Sequence, residues 1–289
     1  MTTRSSCLSR FAVLLLVSAR FSMAIAADTA GVTVTADVAY KSGAMLSDYE
    51  RTRCKLDVYA PTGAKDLPCV VWFHGGGLTG GNNKGAKEGG HALAAEGVIL
   101  AAVNYRFSPM ATYPAYVEDA AASVAWMKQH AGEYGVDPKR IFVAGHSAGG
   151  YLAAMVGADE RWLKPYALTL HDIAGVIPMS GQMATHYTIR EERGLAKTAI
   201  LIDEAAPLNH AGKDTPPWLV LYAEKDMSLR GDENRYFAAA LKAAGHKQVE
   251  IREMAGYDHG GIGERIGEQN DAVRKAMVEF INRTAPAKP

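Results

Sequence analysis

Gly145-His146-Ser147-Ala148-Gly149 is the feature that most narrows what this chain can become. A β-rich run, Ile141-Phe142-Val143-Ala144, leads into it, and an Ala-rich helical stretch leaves it over 148–156. A serine held in so short a turn needs small neighbours, because strand and helix backbones crowd it from both sides and glycine alone tolerates that approach. Such a turn lifts a hydroxyl above the end of a sheet, where a weak nucleophile can be activated. The fold must then feed a strand straight into a helix, which makes it α/β with a mostly parallel sheet.

The rest of the chain carries the same alternation. Leu56-Asp57-Val58-Tyr59 alternates as a half-buried strand, and Cys69-Val70-Val71-Trp72-Phe73 is a continuous β-rich run ended by Gly75-Gly76-Gly77. Further strands are expected over 98–103, 173–179, 218–223 and 249–254. Helices are expected over 91–96, 116–130, 233–244 and 271–284, with Asp232 as the N-cap of the third. The longest stretch between strands, 180–217, holds Thr185-His186-Tyr187 and the charged run Arg190-Glu191-Glu192-Arg193. An insertion of that length reads as a lid or a wall over a binding site, with a plain surface helix as the alternative.

A serine hydroxyl needs a base within hydrogen-bond reach and an acid to orient that base. Asp226 follows the strand over 218–223, and His259 follows the strand over 249–254. They lie 79 residues beyond the serine and 33 residues beyond the acid, far enough for the intervening elements. Glu224 falls on or barely off its strand, and Asp258 neighbours the histidine with its side chain directed away. His91, His130, His171, His210 and His246 read as structural or surface residues, and His146 as packing beside the nucleophile.

Attack by a serine creates an oxyanion, and pre-aimed N–H donors are usually the largest catalytic contribution. His74-Gly75-Gly76-Gly77 after a buried strand supplies such donors, and the N–H of Ala148 at a helix start supplies another. A phosphate-binding loop is the other use of a glycine triplet, but the Lys-Ser/Thr pair it requires is missing.

Composition bounds the rest. Lys plus Arg equals Asp plus Glu at 31 each, so no strong field favours nucleic acid or an anionic membrane. Arg4 and Arg10, the short apolar run 11–17 and the small residues around Ala26 read as a signal peptide over 1–26, followed by a single domain over 27–289. Start of translation at Met23 is the alternative. Cleavage after Ala26 removes three arginines and no acid, leaving a net charge of −3 and an exported, secreted or periplasmic protein. The apolar run is too short to span a bilayer. Cys54 and Cys69 are expected at opposite ends of the sheet and so unbridged. No His or Cys pair has metal-ligand spacing, so neither metal nor other cofactor is implied.

His74-Gly75-Gly76-Gly77, Val103-Asn104-Tyr105-Arg106, Gly145-His146-Ser147-Ala148-Gly149, Asp226 and His259 together resemble the HGG-type esterases of the α/β-hydrolase superfamily. The likeness is to exported bacterial carboxylesterases, among them feruloyl and acetyl-xylan esterases, and to the hormone-sensitive-lipase-like group. It covers about 34–284. The resemblance implies an eight-stranded, twisted, mostly parallel sheet with helices on both faces and a minimal cap. It implies a triad of Ser147, Asp226 and His259, an oxyanion hole from Gly76, Gly77 and Ala148, and His74 as a brace for that loop. It also implies a small-molecule ester substrate, including esters linked to polysaccharide; the sequence shows no long hydrophobic lid segment, so short acyl groups are expected. Tyr113, Tyr187 and Tyr257 are candidates for the substrate wall. The chain lacks the long helical N-terminal cap of the hormone-sensitive-lipase-like group. Leu78 stands where formamidase relatives tend to carry Trp, and both departures favour the feruloyl or acetyl branch. An arylformamidase and a non-catalytic binding module on the same scaffold are the rival readings.

Overall fold

The computed structural model of the protein describes residues 25–29 and 31–287. Strands and helices alternate along it: β1 (Ile25–Thr29), β2 (Val32–Ala39), α1 (Asp48–Arg53), β3 (Lys55–Pro61), β4 (Leu67–Phe73), α2 (Lys87–Ala95), β5 (Ile99–Val103) and α3 (Ala115–Gln129). Then come β6 (Val136–His146), α4 (Ala148–Ala158), β7 (Gly175–Met179), α5 (Tyr187–Glu192), β8 (Trp218–Lys225), α6 (Arg230–Ala243), β9 (Val249–Asp258), α7 (Gly261–Glu264) and α8 (Ala272–Thr284). One sheet runs in the order β1-β2-β3-β5-β4-β6-β7-β8-β9. The expected eight strands are β2 to β9, and β1 adds an antiparallel edge to them. From β5 across to β9 every pairing is parallel.

The parallel strands are buried on both faces, as crossover helices require. Along β4, Cys69, Val71 and Phe73 join the core beneath α3 and α4, while Val70 and Trp72 join the core beneath α2 and α8. β3 differs from its expected pattern. Asp57 on the far side of the alternation is buried, 1% exposed, because Lys84 reaches it at 2.9 Å and the Asp37 N–H donates to it at 2.8 Å.

β4 is the pivot. The chain leaves it for β5 on one side and returns to β6 on the other, so the loops after β4 and β6 diverge from adjacent strand ends. Phe73 and Gly145 are paired at those ends, which puts the His74-Gly75-Gly76-Gly77 loop beside the serine turn. This is where α/β sheets bind ligands. Asp226 and His259 come together for the same reason, because Lys225 and Asp258 pair at the ends of β8 and β9.

Ile25 and Ala26, the end of the expected signal segment, belong to β1 and pair with Thr35 and Val34. Residues 1–24 lie outside the described residues. No helix among the described residues is long and apolar enough to cross a membrane. Cys54 and Cys69 are free, buried thiols.

Candidate active site

Ser147 sits at φ 56°, ψ −116°, a conformation L-residues avoid. Its N–H donates to the Met179 carbonyl at 2.8 Å, and α4 begins at the next residue. The turn closes because Gly149 has no side chain: a Cβ there would lie 1.9 Å from the Phe73 carbonyl oxygen. The strained serine is thus held by backbone packing on two neighbouring strands.

His259 bridges the site. Its Nε2 is 2.9 Å from Ser147 Oγ and its Nδ1 is 2.6 Å from Asp226 Oδ1. Asp226 accepts from three more donors: the Ser180 hydroxyl at 2.5 Å, the Met227 N–H at 2.8 Å and the Ala223 N–H at 3.2 Å. Burial works against its charge, but the bonds from His259, Ser180 and Met227 prevail and hold its carboxyl below the usual carboxylate range. An Nδ1–H···Asp226 bond leaves Nε2 facing the hydroxyl as an acceptor. The three residues expected to act together are therefore in mutual contact.

The glycine loop lies against this row. Gly76 and Gly77 have φ of 118° and 64°, and no intrachain hydrogen bond among the described residues uses their N–H groups. Ala148 is the first residue of α4, where an N–H has no intrahelical partner. Thr188 on α5 donates its hydroxyl to the Gly77 carbonyl at 2.5 Å. A Cβ on Gly77 would lie 2.0 Å from the Tyr187 hydroxyl. The 180–217 insertion thus forms a wall over the glycine loop.

His74 braces that loop from beneath. Its Nδ1 is 2.6 Å from the Gly75 carbonyl, its ring stacks on Tyr105 at 4.4 Å, and Tyr105 donates its hydroxyl to the His74 carbonyl at 2.7 Å. Burial pushes its imidazole down to about 4, against the Gly75 bond, so the ring is a neutral strut.

Of the three tyrosines expected at the substrate wall, Tyr187 alone touches the glycine loop. Tyr113 is a strut for the insertion: its N–H donates to Glu192 at 2.9 Å and its hydroxyl to the Glu204 carbonyl at 3.2 Å. Tyr257 is buried, donates to Asp271 at 2.5 Å and ties β9 to the start of α8. Asp258 accepts the Gly261 N–H at 2.7 Å, and Glu224 accepts the Gly256 N–H at 2.7 Å, so both rival acids are engaged by backbone. His91 packs on Tyr59, His130 on Trp126, and His210 and His246 bond the Glu204 and Thr215 carbonyls.

Sequence reasoning missed three neighbours. Ser180 completes the acid's hydrogen bonds; its position just after β7, beside Asp226's loop, was the available signal. His146 donates to the His259 carbonyl and is more than packing. Arg230, at the start of α6, donates to the Ser180 carbonyl at 3.1 Å, and no local pattern announces it.

Known proteins share this arrangement of elements. A propionate-bound esterase of Thermogutta terrifontis superposes with a TM-score of 0.69 at 23% identity, over 90% of this chain and 97% of that one. A carbohydrate esterase from gut microbiota, in truncated form, superposes equally well at 20% identity, over 87% of this chain and 96% of that one. In sequence, the probable carboxylic ester hydrolase LipM of Mycobacterium tuberculosis is 29% identical over 212 residues, 66% of this chain and 49% of that protein. Carboxylesterase NlhH of the same species is 41% identical over 107 residues, 36% of this chain and 33% of that protein. The chain spans about half the length, or less, of these curated relatives. A family model described as BD-FAE matches residues 56–241, from β3 into α6 and through the serine turn. With most of its length under that match, the chain belongs to the BD-FAE family.

Proposed function

We propose that the chain is a serine carboxylesterase that hydrolyses short-chain or aryl esters through an acyl-enzyme. The observation that carries this reading is His259, placed 2.9 Å from Ser147 Oγ and 2.6 Å from Asp226. Ser147 Oγ attacks the ester carbonyl while His259 Nε2 takes its proton, and Asp226 stabilises the imidazolium. The N–H groups of Gly76, Gly77 and Ala148 hold the oxyanion. Collapse expels the alcohol with the proton from His259. Water, deprotonated by the same ring, then releases the acid and returns Ser147.

Short acyl groups suit the wall that Tyr187 makes at the glycine loop, which leaves little room on that side. Feruloyl or acetyl esters of plant polysaccharide are the substrates this reading favours. Membership of the BD-FAE family and the likeness of fold to a carbohydrate esterase support them. Export fits polymer-derived esters, and the basic start, apolar run and small-residue site in 1–26 support it.

Hydrolysis of p-nitrophenyl acetate by wild type and by Ser147→Ala tests the reading. Wild-type turnover with a loss of about 10⁴-fold or more in the variant is expected. Equal rates would remove Ser147 from the chemistry, and turnover of an aryl formamide well above the acetate would shift the reading to an amidase.

A further inference from the structure

Buried arginines are ordinarily matched by carboxylates, because an unpaired charge in the interior is costly. Buried Arg140 is met by two carbonyls, of Ala285 at 2.8 Å and Asp66 at 3.3 Å, and partly buried Arg106 shows the usual solution: Asp119 accepts from its Nε at 2.8 Å and from its Nη2 at 2.7 Å. Two arginines beside the candidate triad lack it. Arg230, 4% exposed, begins α6 four residues after Asp226, and Arg190, 6% exposed, lies on α5. Neither forms an ion pair among the described residues.

Their donors are largely unspent. Arg230 Nη1 donates to the Ser180 carbonyl at 3.1 Å, and among the described residues no acceptor meets its other guanidinium N–H groups. Arg190 Nη1 donates to the Ala199 carbonyl, while its buried Nε has no partner among the described residues. His186, 1% exposed and one helical turn before Arg190, has a buried Nε2 with no partner. Glu233, the carboxylate whose field reaches both arginines, is committed elsewhere. Its Oε2 takes the Met183 and Ala184 N–H groups at 2.8 and 3.2 Å, and its Oε1 takes Gln182 at 3.4 Å. Burial pulls both guanidinium groups below their ordinary value by more than Glu233, joined at Arg230 by Asp226, restores.

The two arginines adjoin the site. Ser180 accepts from Arg230 through its carbonyl and donates to Asp226 through its hydroxyl. The field of Arg230 also reaches His146, His186 and Tyr187, the last with its hydroxyl against the glycine loop.

We propose that Arg230, reinforced by Arg190, is an anion subsite in the wall between Asp226 and the glycine loop, and that the ester turned over carries a carboxylate close to the scissile bond. This rests on the esterase reading. The carboxylate can belong to the acyl group or to the alcohol, and two substrate pairs distinguish them. 4-Nitrophenyl hemiglutarate against 4-nitrophenyl valerate tests the acyl side. 4-Carboxyphenyl acetate against 4-methylphenyl acetate tests the alcohol side.

The readout is the anionic-to-neutral ratio of kcat/KM in wild type divided by that in Arg230→Gln, which cancels intrinsic reactivity. A value of about tenfold or more in one pair is expected, the size of a charge-assisted hydrogen bond. Arg230→Lys should retain part of the preference, keeping the charge but not the fork. High salt should erode it. A value near one in both pairs overturns the subsite and leaves the esterase reading intact. If wild type hydrolyses none of the four esters, the esterase reading fails, and thermal shift with free glutarate decides the subsite separately. Stabilisation of wild type that is weakened in Arg230→Lys and lost in Arg230→Gln supports it; equal shifts, or none, overturn it. Should Arg230→Gln not fold, competitive inhibition of wild type by glutarate carries the test, and absence of competition overturns the proposal.

Discussion

The Nε2 N–H of His146 donates to the main-chain carbonyl of His259 at 2.5 Å, so the residue before the candidate nucleophile holds the loop that carries its base. The two rings stand 5.0 Å apart. The strained turn after β6 and the loop after β9 are therefore locked together independently of the Ser147–His259 contact. His146→Ala should lower kcat by roughly ten- to a hundredfold, the cost of a base displaced by about 1 Å, with KM little changed. His146→Gln, which keeps a donor of similar reach, should recover part of the loss. Steady-state kinetics on a soluble aryl ester would check both.

Gly77→Ala should abolish most activity while leaving the protein folded. The added Cβ would meet the Tyr187 hydroxyl at 2.0 Å, and φ of 64° strains any side chain. Pairing it with Tyr187→Phe removes the clashing oxygen but not the backbone strain, so partial rescue is expected. A single variant as active as wild type would show that the loop is not where the oxyanion forms.

Stability should fall on mild acidification. His74 and His146 are each pushed down to about 4 and His186 well below its ordinary value, burial being the main cause in all three. An unfolded imidazole takes up its proton near ~6.5, so between that pH and about 4 the unfolded state binds more protons. These rings therefore cost nothing above about pH 6.5 and destabilise the fold progressively as pH falls towards 4. Asp226, held below the usual range, adds to the loss at lower pH. Melting temperatures from pH 8 to 4 should decline with that slope, and His146→Gln should flatten it.

Tyr257→Phe should weaken the fold and spare catalysis. The hydroxyl it loses donates to Asp271 and accepts the Ala272 N–H at 3.1 Å, bonds together worth about 1–3 kcal/mol. Denaturant melts should show that loss, with kcat/KM on a short ester within about twofold of wild type, a surface-like effect on chemistry.

Neither Cys54 nor Cys69 should react with a thiol reagent in the native protein. Burial pushes the Cys54 thiol up to about 12 and the Cys69 thiol higher still, so almost no thiolate exists at neutral pH. Reaction should require global unfolding, read as labelling that follows the denaturation curve.

Elements whose cues are local were legible. Ser147, Asp226 and His259 each follow a β-rich run into a turn, and chain order with spacing sufficed to name them. Where tertiary contacts override local pattern, the reading slipped. Asp232 looks like an N-cap, yet α6 begins at Arg230, whose guanidinium is drawn under Ser180. Asp57 looks solvent-facing by alternation, yet Lys84 comes from a distant loop to bury it. The hydroxyls of Tyr113 and Tyr257 are bonded to Glu204 and Asp271, partners no local pattern announces.

By itself the sequence determined the class of fold and the three residues that meet at its centre, because strand periodicity, glycine sterics and strand-end loops act over a few neighbours. The tertiary structure alone decided which tyrosine faces the glycine loop, that His146 steadies His259, and that two buried arginines form no ion pair among the described residues. Those facts depend on which strand ends lie side by side and which side chains have already found partners. Pairings over more than a hundred residues of chain, such as His146 with His259, leave no periodic trace in the sequence.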